Sequence, residues 1–266
     1  MAKKVKYLLS LPFIYSKITT LLFDCDNTLV LSEKLAFGAC AALVSRILAS
    51  KGIEVNYSGE QLLAEFVGQN FRGMICKLAE KYALEISAEE LESYVKDEEE
   101  EVIKKLKEAV EPCKGVTEVL DRLHKKGTYK LAVVSSSAKR RVLVTLNTVG
   151  FDRFFDLNTT VFSAATSLPK PTSKPDPAIY LWAMEKLGVS PSECLAIEDS
   201  KSGALSAHRA GISTIGYTGS YVPDEVEKII PVLKDSGVAV IMNGWDEFEN
   251  LLEQVETGKI VNEIPS

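Results

Sequence analysis

The sequence predicts an α/β fold in which a parallel sheet is covered by helices on both faces, with an all-helical block inserted after the first strand. Three observations predict it. Short, unbroken apolar runs recur and end abruptly in polar clusters, as strands buried on both faces do. After residue 111 those runs alternate with helical patterns, the signature of a three-layer α/β sheet. Between Lys34 and Glu111 the apolar spacing is helical throughout. The expected division is therefore 1–33 with 112–266 as the sheet-bearing core, and 34–111 as a helical insertion.

The first strand is Leu21-Leu22-Phe23, which runs into Asp24-Cys25-Asp26-Asn27-Thr28. On a strand, Asp24 and Asp26 share one face and Cys25 takes the other. Two like charges at the end of a buried strand are costly unless a cation or a reaction uses them. Cys25 reads as a small buried apolar residue.

Ser32-Glu33 is a candidate helix start, and Leu35, Ala39, Ala42, Leu43 and Ile47 follow at helical spacing up to Gly52. Ser58 opens a second helix that stops at Gly68, and a third covers Met74 to Tyr82. Ser87-Ala88-Glu89-Glu90 reads as a capping box for a long helix to about Val110. Its acidic run Asp97–Glu101 reads as a solvated face with Lys104 and Lys105 as neighbours.

Pro112 and Gly115 mark the return to the sheet. A helix from Val116 to Lys125 ends at Gly127, and Leu131-Ala132-Val133-Val134 is the second strand, meeting Ser135-Ser136-Ser137. Lys139 to Val149 is helical, and Thr160-Val161-Phe162 is a weak third strand. A Pro/Lys loop then spans 168–177, and a helix from Ala178 to Leu187 ends at Gly188. Cys194-Leu195-Ala196-Ile197 is the fourth strand and meets Glu198-Asp199-Ser200. Lys201 to Ala210 is helical. Strands at Thr214–Tyr217 and Val238–Ile241, and a helix from Trp245 to Val255, complete the pattern, and the tail after Gly258 is expected to be loosely held.

The chain has 266 residues, 46% hydrophobic and 26% charged, which is enough for a large core. A net charge of -6 gives no general basic field for nucleic acid. No apolar run approaches membrane-spanning length. The five cysteines are odd in number, scattered and without a CxxC pair, as expected of reduced thiols in a cytoplasmic protein. Lys3, Lys4 and Lys6 before Tyr7–Tyr15 loosely mimic a signal peptide, but Pro12 and the lack of a cleavage site favour an N-terminal arm packed on the core.

In an open parallel sheet, ligands bind at the carboxyl ends of the strands. Three strands end in chemistry: Asp24 and Asp26, then Ser135, then Glu198 and Asp199. Lys174, in Ser173-Lys174-Pro175-Asp176-Pro177, can reach the same rim, and this context favours it over Lys170. Asp176 is expected to brace that loop. Four carboxylates, one or two hydroxyls and one ammonium suit a magnesium ion and a phosphate, leaving one carboxylate as nucleophile and another as acid/base. Ser136 and Asn27 are substrate-side candidates on this rim, although Ser136 and Ser137 also suit a helix cap. His124 and His208 lie within helical patterns and are assigned no role.

These motifs, in this order, resemble the haloacid dehalogenase superfamily of aspartate-nucleophile phosphotransferases, in the branch with a helical cap after the first motif. The resemblance rests on Asp24-Cys25-Asp26-Asn27-Thr28, Ser135, Lys174-Pro175-Asp176-Pro177 and Glu198-Asp199-Ser200, and covers roughly residues 18–255. It implies a Rossmann-like core under a cap domain, and one role for each motif residue. Asp24 attacks phosphorus, and Asp26 protonates the leaving alcohol and then activates water. Ser135 and Lys174 hold the phosphoryl oxygens. Mg2+ takes Asp24, the Asp26 carbonyl and Asp199, with Glu198 in support. Two positions depart from the pattern: Asn27 replaces the commoner glycine, and Leu31 stands where aspartate is frequent. Asn tolerates left-handed backbone, so the turn is expected to survive.

In the cap, Gly68-Gln69-Asn70-Phe71-Arg72 resembles the specificity loop, with Arg72 a candidate for a remote phosphate or carboxylate. Asp26 argues against dehalogenases and phosphonatases, which lack it. Mutases similar to β-phosphoglucomutase carry a histidine early in the first cap helix, and here that place is near Ala36. The expectation is therefore a Mg2+-dependent phosphatase of a small phosphorylated metabolite (a sugar, polyol or organic-acid phosphate), acting as a monomer or weak dimer without nucleic acid or membrane. The alternatives are a phosphosugar mutase, and a phosphometabolite-binding regulator without turnover.

Overall fold

The computed structural model describes residues 17–66 and 70–260. The N-terminal arm, Gly68 and Gln69 of the specificity loop, and the last six residues of the tail lie outside the described residues. Six parallel strands form one sheet: β1 (Thr20–Phe23), β2 (Lys130–Ser135), β3 (Val161–Ser163), β4 (Cys194–Glu198), β5 (Ser213–Tyr217) and β6 (Val240–Met242). Their order is β3-β2-β1-β4-β5-β6. The first strand is thus central, and the other two strands that end in chemistry flank it. Phe23 is level with Val133 on one side and Ile197 on the other, so the residues that follow all three strands emerge together.

Side-chain alternation divides each strand between two cores. Leu21, Phe23, Leu131, Val133, Leu195 and Ile197 belong to one. Helices α5 (Val116–Lys126), α6 (Lys139–Thr148) and α10 (Phe248–Glu256) cover that face. Leu22, Ala132, Val134 and Ala196 face the other side, against α7 (Ala178–Leu187) and α8 (Lys201–Arg209). The three layers are those the sequence predicts. Phe23 anchors the first core, with Phe155, Trp245 and Phe248 rings each about 6 Å away.

Four helices fill the chain between β1 and β2: α1 (Glu33–Ser50), α2 (Gly59–Glu65), α3 (Phe71–Lys81) and α4 (Ala88–Ala109). The capping boxes at Ser58 with Gln61 and at Ser87 with Glu90 both form. Helix α3 starts earlier than Met74 because the Asn70 side chain caps it, accepting from the Gly73 amide. The chain leaves and returns along paired passages. The Leu31 amide donates to Glu111 and the Cys113 amide to Leu29, both at 2.9 Å.

Three expectations are corrected. Helix α9 (Pro223–Asp235) has no counterpart in the sequence reading, because Pro231 sits inside its pattern. Pro231 is exposed, so water can satisfy the backbone carbonyl it leaves unpaired. Ser32 does not cap α1, since its hydroxyl is used elsewhere. The acidic run is not one solvated face, nor is it balanced by Lys104 and Lys105. Arg140 takes Glu100, Arg46 takes Glu101, and Glu98 turns into a cavity.

No described helix is long and apolar enough to cross a membrane. Phe23→Ala should empty the centre of the first core and cost about 3–5 kcal/mol, read as a lower urea midpoint.

Candidate active site

The ends of β1, β2 and β4 open into a cavity of about 590 Å3, closed on the other side by residues of α1, α3 and α4. Asp24 follows β1 directly, and its amide still donates to Ile197 at 3.0 Å. The strand has already ended there, so Asp26 is placed by a turn rather than by strand alternation. The turn closes through the Asn27 amide to Val30 (2.7 Å) and the Leu29 amide to Cys25 (3.0 Å). Asn27 adopts φ 58°, the left-handed conformation the sequence anticipates. Its side chain donates to Glu33 at 2.8 Å. Cys25 is buried on the far side.

Lys174 occupies the centre. Its ammonium donates to Asp24 Oδ1 (2.6 Å), Glu198 Oε1 (2.6 Å) and the Val134 carbonyl (2.7 Å). An ammonium has three donors, so all are used on the protein. Lys174 therefore offsets the Asp24 charge as anticipated, but in this arrangement it keeps no donor for a phosphoryl oxygen. The Tyr180 hydroxyl also donates to Glu198 Oε1. Glu198 Oε2 is buried without a hydrogen-bond partner among the described residues and lies over Gly203, where a Cβ would stand 1.7 Å away.

Asp199 is buried beside them. Thr28 donates to its carboxylate at 3.4 Å and Tyr221 to its carbonyl at 3.2 Å. One carboxylate oxygen from each of Asp24, Glu198 and Asp199 falls within 4.8 Å of the others. The electrostatics follow from this crowding. Burial pushes the Asp24 carboxyl from its usual 3.8 up to about 7; Lys174 opposes the shift, and Glu198 and Asp26 add to it. Burial and the charges of Asp24 and Glu198 push Asp199 well above its usual range. Burial acts against the Lys174 charge, but Asp24 and Glu198 outweigh it and raise its pKa.

Asp26 differs. Ser32 and Ser137 donate to its two oxygens, Ser137 at 2.7 Å, and Arg141 of α6 adds a contact at 3.2 Å. Burial opposes ionisation, but Arg141 and the two hydroxyls prevail and hold the carboxyl below its usual range. The two aspartates of one motif are therefore driven in opposite directions by their surroundings.

The serines are redistributed relative to the sequence reading. Ser135 is the last residue of β2 and wholly buried, and its hydroxyl accepts the Ser137 amide at 3.0 Å. Ser136 and Ser137 line the cavity instead, and Ser136 accepts the Lys174 amide at 3.1 Å. Arg72 lines the cavity but is exposed and paired with Glu92 through two bonds of 2.6 and 2.7 Å. Asp176 braces its loop, accepting from Thr172 and the Ala178 amide. The sequence reading gives no role to Arg141 or Tyr180, places Thr28 in the first motif without a role, and takes Ser32 for a helix start.

A family model for haloacid dehalogenase-like hydrolases matches residues 21–217. The chain belongs to this family. A phosphorylated carbohydrates phosphatase of Thermotoga maritima is 34% identical over 194 residues, 73% of this chain and 82% of that protein. A haloacid dehalogenase-like hydrolase domain-containing protein of Arabidopsis thaliana is 36% identical over 151 residues, 56% of this chain. The match spans 45% of that relative's length. A haloacid dehalogenase-like protein from Agrobacterium tumefaciens superposes with a TM-score of 0.68 at 25% identity, over 90% of this chain and 99% of its own.

Gly203→Ala should drive a methyl group into Glu198 and loosen its hold on Lys174. Overpacking of this kind costs about 1–3 kcal/mol. A urea midpoint equal to that of the unaltered chain would show that Glu198 has room to move.

Proposed function

We propose that this hydrolase is a Mg2+-dependent phosphatase that acts through a phosphorylated Asp24. The observation that carries the reading is the Lys174 ammonium bound to Asp24 and Glu198, at the edge of a cavity that Asp26 also lines. Resemblance to the Thermotoga phosphatase of phosphorylated carbohydrates supports the same class.

The donor set fits magnesium. Three buried carboxylates face one ammonium, an excess of negative charge that burial makes costly. A hard cation with oxygen ligands relieves it, and Asp24, Asp199 and the Asp26 carbonyl would hold it, with Glu198 steadying the set through Lys174. When bound, the ion neutralises charge on the phosphoryl oxygens.

The chain's own residues supply the rest. Lys174 fixes Asp24 through Oδ1, and Oδ2 carries no hydrogen bond among the described residues. A carboxylate oxygen of Asp24 forms a bond to phosphorus while the bond from phosphorus to the ester oxygen breaks. Asp26 gives its proton to the departing alkoxide. A water then attacks phosphorus, the bond to Asp24 breaks, and Asp26 takes the water's proton. Without substrate, Arg141 and the two hydroxyls hold Asp26 below the usual carboxylate range. A phosphate dianion arriving beside it raises its proton affinity and readies it as an acid. The Ser136 hydroxyl accepts the Lys174 amide and keeps its own proton, so it stands at the cavity wall to donate to a phosphoryl oxygen, while Ser137 already donates to Asp26.

Among the described residues, no histidine lines the cavity, and Ala36 does. That favours hydrolysis over a mutase, which needs a further proton carrier. A regulator without turnover would not need Asp26 poised differently from Asp24.

Purified protein with Mg2+ should release phosphate from a panel of phosphorylated metabolites. Asp24→Asn should cut turnover by about a thousandfold or more while leaving the fold intact by circular dichroism. Release of no phosphate by the unaltered chain across the panel would falsify the reading.

Stability should carry the same signature. Asp24 binds its proton more tightly when folded than the usual 3.8, with a folded value of about 7. Between those values the folded state holds the extra proton, so without metal this contribution to stability falls as pH rises. Asp199 shifts in the same sense. Mg2+ needs the deprotonated groups, so its effect on Tm should grow from about pH 5 to about pH 8. An equal Tm shift at both ends would count against these ligands.

A further inference from the structure

The cavity continues past the phosphoryl site to a wall made by α1 and α4, and that wall carries an unexpected charge. Glu98 is the member of the acidic run that turns inward. Its neighbours Glu100 and Glu101 are exposed or half-buried and paired with Arg140 and Arg46. Among the described residues Glu98 accepts only the Cys40 thiol, at 3.3 Å, and a thiol is a weak donor. No lysine or arginine forms an ion pair with it among the described residues. Burial raises its pKa, while the Cys40 contact and the Arg141 charge oppose that.

Among the described residues, each cation that lines the cavity already has a carboxylate partner, and the buried Arg141 Nε keeps a free donor. Lys174 holds Asp24 and Glu198, Arg141 holds Asp26, and Arg72 holds Glu92. Glu33 adds a second carboxylate to the lining, tied only to Asn27. A second anion on the substrate would meet Glu33 and Glu98, with no cation free of a carboxylate among the described lining residues to receive it. Hydroxyl groups would instead meet carboxylate acceptors. At about 590 Å3 the cavity has room for a leaving group of several carbons.

We propose that Glu98 is a specificity-determining residue: it accepts a hydroxyl of the leaving group and turns away substrates that carry a second anion. The substrate class is then the monophosphates of neutral polyhydroxy compounds, not bisphosphates or phosphorylated acids. This assignment rests on the phosphatase reading. It gives α4 a chemical task distinct from that of the strand ends.

The test uses the full chain with Mg2+ and measures kcat/KM for sorbitol phosphate and erythritol phosphate against a hexose bisphosphate and phosphoglycolate. Para-nitrophenyl phosphate, which offers neither hydroxyls nor a second anion, is the control. The polyol esters should lead by about tenfold or more, since like charges brought together at a binding surface are strongly disfavoured. Glu98→Gln should shrink that ratio about tenfold, mainly by lowering KM for the substrates whose leaving groups are anionic, and Glu98→Arg should reverse it. Glu98→Asp should restore the original order.

Equal ratios in the unaltered chain and in Glu98→Gln would overturn the assignment. So would a preference for the bisphosphate that Arg72→Ala abolishes, because Arg72 would then have left Glu92 to bind the second anion. Turnover of para-nitrophenyl phosphate without the predicted order defeats the Glu98 assignment alone. No turnover of any ester defeats the phosphatase reading and this assignment with it.

Discussion

The structure depends on one ammonium placed among acids. Lys174 is buried, and so are Asp24, Glu198 and Asp199 around it. Removing one partner from such a set leaves an uncompensated buried charge, at a cost of about 3–5 kcal/mol. The fold meets this by geometry. The strand order sets β1 between β2 and β4, and the common register brings Asp24, the Val134 carbonyl and Glu198 within reach of one Nζ atom. The loop that carries Lys174 is anchored separately, by its own amide on Ser136. The charge cluster is thus a property of the whole sheet rather than of any one loop.

Around that fixed centre the two motif aspartates have unlike surroundings. Asp24 lies against Lys174 and further acids, whereas Asp26 faces hydroxyls and a guanidinium. The donors to Asp26 come from three places in the chain: Ser32 before α1, Ser137 after β2, and Arg141 on α6. Arg141 also feels Glu98 and Cys40 across the cavity. The acid/base candidate is therefore connected electrostatically to the helical wall that faces the leaving group.

Much of this was legible in the sequence. Asp24, Asp26, Glu198 and Asp199 each follow an apolar run, and a carboxylate there has no structural reason to exist without a partner. Lys174 stood out because prolines fix its loop. The helices with clear stops, such as α5 before Gly127 and α7 before Gly188, have those ends in the fold. Arg141, Glu98 and Tyr180 lie inside helical patterns, where spacing shows which face is apolar but not what a polar face meets. Arg141 and Glu98 look like ordinary surface charges until α4 packs on α6 and encloses both. Ser135 ends its strand as expected and its hydroxyl accepts the Ser137 amide, while the next two serines, half-buried, line the cavity.

The distances along the chain within the charge cluster have a consequence in time. Lys174 follows Asp24 by 150 residues, and Asp199 follows Thr28 by 171. At a synthesis rate of about 5–20 residues per second, Asp24 leaves the ribosome about 8–30 s before the lysine that neutralises it. Throughout that interval the central strand also lacks β4, its neighbour on one side. The nascent chain must therefore keep its two aspartates in water until more than half of the polypeptide has emerged. Closure of the sheet and completion of the site are then a single late event, and a chain released early presents an unpaired, acid-tipped strand to chaperones and proteases.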